Sequence, residues 1–182
     1  MKEQPTLICE RLLLRPFSMG DVAQVTALVG ERDIASTTLA IPHPYDETMA
    51  EEWIMKHPAR YQSGRGVNYA IVIHNLNTLA GAIGLQINIE HRKAELGYWI
   101  GKPFWGYGYA TEASKKLMQF GFEDLDLNRL YASHFVRNPA SGNVLRKSGM
   151  EFEGRRRQDI LKWGQFEDSD YYSILKDDYQ EV

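Results

Sequence analysis

The stretch from Ala94 to Ala113 constrains the chain more than any other part of it. An apolar strand pattern, Ala94 to Ile100, runs into a glycine-rich link, Gly101 to Gly108, and then into an apolar helix pattern. A strand that ends in glycines and reopens as a helix places a helix N-terminus at the end of a sheet. Gly106 and Gly108 carry no Cβ, so a ligand can lie against their backbone. Converging amides and the positive end of the helix dipole then make an anion site, and a phosphate cradle is what the physics alone implies. It is not a Walker loop, because Tyr109-Ala110-Thr111 follows Gly108 where Gly-Lys-Ser/Thr is required. Thr111 also stands where a dinucleotide fingerprint needs a third Gly or Ala.

Hydrophobic periodicity assigns the remaining elements. Ile8 to Arg15 reads as a leucine-rich strand. Ser18-Met19-Gly20-Asp21 reads as a capping box opening a helix through Val22, Val25, Leu28 and Val29, closed near Gly30. Residues 31 to 44 read as irregular, with Pro42 and Pro44 blocking helix. Asp46 or Thr48 caps a second helix carrying Met49, Trp53 and Ile54. Strands are expected at Val67 to His74, Leu79 to Asn88 and Ala94 to Ile100, with a turn at Asn75-Leu76-Asn77. The helix after the glycine link runs from about Ala110 to Phe122, with Ala110, Ala113, Leu117 and Gly121 on one face. Arg129 to Val136 is a strand, and Ser141 to Ser148 is a short helix stopped by Gly149. Phe152 to Leu161 and Asp168 to Leu175 close the chain as strands joined at Trp163-Gly164-Gln165. A meander of antiparallel strands with inserted helices is α+β, with a mixed sheet, in a single domain over residues 1–182.

Composition removes several function classes. A chain of 182 residues buries a core without disulfide or metal staples. The net charge of -3 lacks the basic excess of a broad nucleic-acid surface, and Arg155-Arg156-Arg157 reads as a solvated strand edge. The lone Cys9 cannot form an internal disulfide, which fits a reducing compartment, and its apolar setting reads as a buried structural thiol. Met1-Lys2-Glu3-Gln4-Pro5 has no apolar leader core, and no apolar stretch is long enough to span a bilayer, so a cytoplasmic location is expected. His43, His57, His74, His91 and His134 have no metal-ligand spacing, and no metal is expected.

Three separated motifs then fall in order. They are Glu10-Arg11-Leu12-Leu13-Leu14-Arg15-Pro16, Gly97-Tyr98-Trp99-Ile100 running on to Trp105-Gly106-Tyr107-Gly108-Tyr109-Ala110-Thr111-Glu112-Ala113, and Asn138-Pro139-Ala140-Ser141 running on to Lys147-Ser148-Gly149-Met150. Together they resemble the GNAT superfamily of acetyl-CoA-dependent N-acetyltransferases, in the branch of the RimJ/RimL ribosomal-protein enzymes. Gly108 and Ala110 match the last two fixed positions of the GNAT pyrophosphate motif, Gln/Arg-x-x-Gly-x-Gly/Ala. Trp105 replaces the Gln or Arg, a departure similar to that of the RimJ/RimL branch, and Met150 replaces its usual Phe.

The resemblance implies a twisted, mixed, mostly antiparallel sheet with helices on both faces. It implies that backbone groups of Tyr98, Trp99 and Ile100 pair with the pantetheine arm of acetyl-CoA as a strand would. Trp105, Gly106, Tyr107, Gly108, Tyr109, Ala110 and Thr111 would hold the pyrophosphate, with Asn138 near the thioester and Asn143 as a further cofactor contact. Ser141 would protonate the leaving thiolate, or cap the short helix, or do both. Attack needs a neutral amine, and Glu95 is the carboxylate expected to take its proton, unless it merely faces solvent. RimL-like enzymes carry another carboxylate on the strand before the last turn. That position falls on Ile160, and Asp159 beside it is the second candidate, since a one-residue offset turns a strand side chain to the other face.

The favoured activity is acetyl transfer to a primary amine, a peptide or protein N-terminal α-amine first. A small-molecule amine such as a polyamine, amino acid or aminoglycoside comes second, and a non-catalytic acyl-CoA-binding module third. His43, Asp46, Glu47, Glu51 and Glu52 form either an acidic mouth for a cationic amine or a solvated helix face. No Cys is placed to carry the acetyl group, so transfer is expected to be direct. The expected partners are the amine acceptor, with a homodimer left open and neither nucleic acid nor membrane involved.

Overall fold

Charge at Glu10 and Arg11 breaks the leucine-rich segment near the N-terminus. The chain there is a hairpin rather than one strand: β1 (Leu7–Ile8) pairs with β2 (Leu12–Arg15), Leu7 opposite Leu14. The exposed Glu10 and Arg11 sit in the turn, which the Cys9 N–H closes by donating to Leu12 O at 2.9 Å. The computed structural model describes residues 3–179; Met1, Lys2 and residues 180–182 lie outside it, so the segment Met1-Lys2-Glu3-Gln4-Pro5 is only partly described.

From β2 the sheet grows through β3 (Gly66–Ile73), β4 (Thr78–Asn88) and β5 (Lys93–Ile100), every neighbour antiparallel. The long helix between β5 and the next strand lets the chain return in the same direction. That helix is α5 (Tyr109–Glu123), and β6 (Arg129–Phe135) pairs parallel to β5. After α6 (Pro139–Lys147), β7 (Glu151–Lys162) forms the edge and β8 (Gln165–Leu175) inserts between it and β6, giving the order β1-β2-β3-β4-β5-β6-β8-β7. This is the expected mixed, mostly antiparallel α+β sheet.

Strand alternation divides the core between two faces. Tyr69, Ile71, Ile83, Leu85 and Leu96 point toward α5, against Leu117, Met118 and Leu130. Ala70, Val72, Ala82 and Trp99 point the other way, under α1 (Val22–Val29), α2 (Arg32–Thr37) and α3 (Glu47–Met55). Fully burying a side chain of Leu or Phe size contributes about 1.5–3 kcal/mol, so both faces must stay covered.

The helices between β2 and β3 refine the expectation in three places, one of them a choice between two caps already named. Residues 32–37 form α2 instead of irregular chain, because Ile34 and Ala35 find cover in the second core. Asp46, not Thr48, caps α3, accepting from the Met49 N–H at 2.9 Å. A further short helix, α4 (His57–Gln62), follows with Pro58 in its first turn. Ahead of α1, Asp21 accepts from the Ser18 N–H at 2.8 Å and pairs with Arg15 at 2.6 Å. Among the described residues no helix is long and apolar enough to cross a membrane.

Candidate active site

The sheet forks in its middle. β5 and β6 pair only at Lys93/Arg129, Ala94/Leu130 and Glu95/Tyr131. Beyond Glu95, β5 stays with β4 as far as Ile100, while Ala132 to Phe135 of β6 stay with β8. The two inner edges therefore part, and their backbone groups are left without a strand partner. The Gly101 N–H donates to Ala80 O at 2.8 Å on the β4 side. Backbone polarity alternates along a strand, so Ile100 and Tyr98 direct theirs into the fork and Trp99 directs its own toward β4. The Trp105 indole donates to Ile100 O at 2.6 Å and so holds the loop onto the strand end. The Trp99 indole is buried in the second core, and Tyr98 is left as the expected backbone contact with both groups open to the fork.

The glycine loop lies at the mouth of this fork. Gly106 and Gly108 have φ of +83° and +82°, a left-handed backbone that favours glycine. A Cβ at Gly106 would meet nothing within 4 Å, and one at Gly108 would lie 3.6 Å from Arg11 Nη2. Tyr109, Ala110 and Thr111 open α5, where helix N–H groups have no acceptor within the helix. Open space above a glycine beside a row of free amides fits a pyrophosphate. The β1–β2 turn braces the loop: Arg11 donates to Tyr107 O at 3.0 Å and to Glu112 at 2.7 Å, and its backbone N–H donates to Glu112 at 2.8 Å. Arg11 also lies 5.1 Å from the Tyr109 ring, which stacks on Tyr107. The pairing of Arg11 with Glu112 spans 101 positions and has no local sequence signal.

On the α5 face, Asn138 caps α6 and Ser141 does not: Asn138 Oδ1 accepts from the Ser141 N–H at 3.4 Å, with Pro139 in the first turn. The Asn-Pro pair was the signal for this, since Pro is suited to the first helical position. Ser141 thereby keeps its hydroxyl free, and it lies 2.7 Å from the Tyr98 phenol oxygen. Burial pushes the Tyr98 pKa up to about 12, so the phenol keeps its proton at neutral pH. Tyr98 stands on one arm of the fork and Ser141 follows the other, so this hydroxyl pair spans the gap. Gly142 packs against His134, where a Cβ would fall 2.6 Å from Nε2, and this fixes the height of α6. Asn143 is exposed, with its side chain held by Arg146, and is not brought into the group.

On the opposite face, Glu95 occupies the last paired rung before the strands part. It is half-buried, and burial raises its pKa above the usual carboxylate value. Among the described residues its carboxylate has no hydrogen-bond partner; Tyr131 is its cross-strand neighbour. Gly97, exposed and with no atom within 4 Å of a Cβ position, leaves the sheet bare beside it. Strand parity does not settle the direction of Asp159, because β7 bulges between Arg156 and Ile160. Gln158 adopts φ +53° there, with its N–H donating to Asp168 at 2.8 Å. The bulge re-aims Asp159 to accept from the Tyr171 hydroxyl at 2.8 Å, while Arg156 lies 4.0 Å over the Tyr171 ring. The acidic residues of α3 are exposed: Asp46 is used as a cap and Glu52 pairs with Lys56.

Residues 11–151 match the family model described as an acetyltransferase (GNAT) domain. The chain is similar to the putative ribosomal N-acetyltransferase YdaF of Bacillus subtilis, 34% identical over 137 residues, covering 75% of this chain and 72% of that protein. It is also similar to the spermidine N(1)-acetyltransferase of Escherichia coli, 33% identical over 101 residues, covering 55% of this chain and 54% of that one. Among solved structures, RimL, a ribosomal L7/L12 alpha-N-protein acetyltransferase in complex with coenzyme A, shares the fold with a TM-score of 0.87 at 21% identity, covering 94% of this chain and 98% of that one.

Proposed function

The chain belongs to the GNAT family of acetyltransferases and is an acetyl-CoA-dependent N-acetyltransferase, and from that premise we propose that its acceptor is the α-amine of a peptide or protein N-terminus. The observation that carries the transfer chemistry is the fork, with Glu95 on one face of it, the Tyr98–Ser141 pair on the other and the glycine cradle at its mouth.

Acetyl-CoA supplies an acetyl thioester when bound. Amides from Gly106 to Thr111 hold its pyrophosphate, the edge of β5 at Tyr98 orients its amide arm, and Asn138 lies at the thioester end. Glu95 takes the proton from the incoming ammonium, and its raised pKa makes it a better base than an ordinary carboxylate. Ser141 delivers a proton to the departing sulfur, the Tyr98 phenol holds the Ser141 hydroxyl in place through the hydrogen bond between them, and solvent returns the proton to Ser141.

The charges on the Glu95 face support a singly charged acceptor. Asp159 is engaged by Tyr171 and Glu167 by Arg137, and Arg156 adds a cation, so of these three carboxylates Glu95 is the one without a hydrogen-bond partner among the described residues, while Glu47 and Glu51 lie exposed on α3. A polyamine needs several free carboxylates in a row. Spermidine is the second reading, favoured by the likeness to the spermidine enzyme. Competition between a short peptide with a free N-terminus and spermidine, read by mass spectrometry, separates them. The peptide is expected to win by about tenfold in kcat/KM, equivalent to roughly 1.4 kcal/mol, and the same peptide with a blocked α-amine to be inert. Preference for spermidine would overturn the peptide reading.

A further inference from the structure

Lys162 ends β7, and its side chain is buried, 7% exposed, yet it pairs with no carboxylate among the described residues. Its ammonium donates instead to three backbone carbonyls: Thr38 O at 2.7 Å, Ile41 O at 3.2 Å and Leu39 O at 3.4 Å. Arg137, just past β6, adds a fourth, donating to Ser36 O at 2.6 Å while Glu167 holds its Nε at 2.7 Å. Around them Arg32 lies 5.5 Å from the Trp163 ring and His43 6.4 Å from it. Burying a cation against neutral carbonyls is expensive, since desolvation disfavours the charged form, and that cost is offset by the three converging dipoles and by the Trp163 ring, whose centroid lies 5.1 Å from the Lys162 ammonium.

The two ends of this contact belong to opposite arms of the fork. Residues 36–41 leave α2, which packs on β3 to β5 through Ile34 and Ala35. Lys162 and Arg137 belong to the arm of β6, β8 and β7. The strap therefore crosses the gap, and it does so on the face of α1–α3, the face Glu95 shares with Trp99.

We infer that Lys162 is a positioning residue that clasps residues 38–41 as a roof over the acceptor side of the fork, so that the acceptor reaches Glu95 beneath the strap as a slender, extended chain end. This rests on reading the Glu95 face as the acceptor side. By fixing the path of residues 38–41 on the Glu95 face, the clasp selects against bulky, ring-bearing amines. Because the four carbonyls are backbone groups, the clasp acts through the chain's path and not through the side chains of residues 36–41.

The test compares wild type, Lys162→Met and Lys162→Arg, with acetyl-CoA saturating for the exchange and peptide measurements and varied for its own KM. Hydrogen exchange of the amides of residues 38–41 should be about tenfold faster in Lys162→Met, and KM for a short free-N-terminus peptide about tenfold higher, the loss expected when a charged donor is removed. KM for acetyl-CoA should stay within about twofold, because nothing at the cradle changes. Lys162→Arg should restore most of the protection and of the peptide KM, since it keeps the cation. Unchanged exchange in Lys162→Met overturns the clasp. So does an equal rise in both KM values without rescue by Arg, which would mark a purely structural residue. If the wild type acetylates no peptide or polyamine, the acceptor reading fails, while the exchange result still decides the clasp.

Discussion

Replacing Glu95 with Gln is expected to lower kcat by about 100- to 10,000-fold at neutral pH, the range contributed by a positioned base. Acetyl-CoA affinity should be unchanged, because Glu95 faces away from the cradle. The pH profile identifies the role. A base must be ionised to act, and burial lifts the Glu95 pKa above the usual carboxylate value. Wild-type activity should therefore fall as pH drops through that raised pKa. In Glu95→Gln this limb disappears, and the remaining rate climbs with pH as more of the amine is already neutral. Ser141→Ala should also lose kcat but should not be rescued at high pH, because its proton goes to the leaving sulfur. Stability should move the other way. A folded pKa above the unfolded one means that ionised Glu95 costs stability at neutral pH and ceases to do so as pH falls below the unfolded value. The Tm of Glu95→Gln should therefore be no lower than that of wild type, which separates lost catalysis from lost folding.

Gly108→Val should lower acetyl-CoA affinity by at least about 100-fold, as expected when two or more charge-assisted hydrogen bonds are lost at roughly 1.5–3 kcal/mol each. A β-branched residue resists φ of +82°, and its side chain would press on Arg11, whose Nη2 lies 3.6 Å from the Cβ position. The loop would shift relative to the α5 amides. Gly164, at φ +81° in the β7–β8 turn with nothing within 4 Å of a Cβ position, supplies the control. Gly164→Val carries the same backbone strain far from the cradle and should leave cofactor affinity unchanged. Isothermal titration with native circular dichroism for both variants decides the matter, and normal affinity in Gly108→Val would reduce the loop to a structural turn.

The cradle was legible in the sequence because its physics is local. Glycines at 106 and 108 ahead of a helix define an anion site wherever the rest of the chain goes. The strands from Gly66 to Ile100 were legible for the same reason, since alternating burial leaves a period in the residues themselves. What stayed hidden depends on partners far away in the chain. The bulge that turns Asp159 toward Tyr171 is held by the Asp168 carboxylate, the Arg11 brace closes on Glu112, and the Lys162 carbonyl cage is formed by residues more than 120 positions earlier. None of these contacts has a periodic signal, and no local pattern pairs the residues that make them. The parting of β5 and β6 after Glu95 is equally invisible, because both strands continue to alternate normally with their outer neighbours. Two further features do have a local signal: the charged pair Glu10-Arg11 marks a hairpin turn, and Asn138-Pro139 marks the start of α6.

Direct transfer to an amine is the central claim, and release of free coenzyme A thiol from acetyl-CoA, measured with and without a free-N-terminus peptide, tests it most directly. No cysteine other than the half-buried Cys9 is available to carry the acetyl group, and burial pushes the Cys9 thiol up to about 11, away from the reactive thiolate. Thiol release should therefore depend on the peptide, with one acetylated α-amine appearing for each thiol freed and the enzyme's own mass unchanged. Thiol release at the same rate without peptide, or an acetyl group retained on the enzyme, would contradict it.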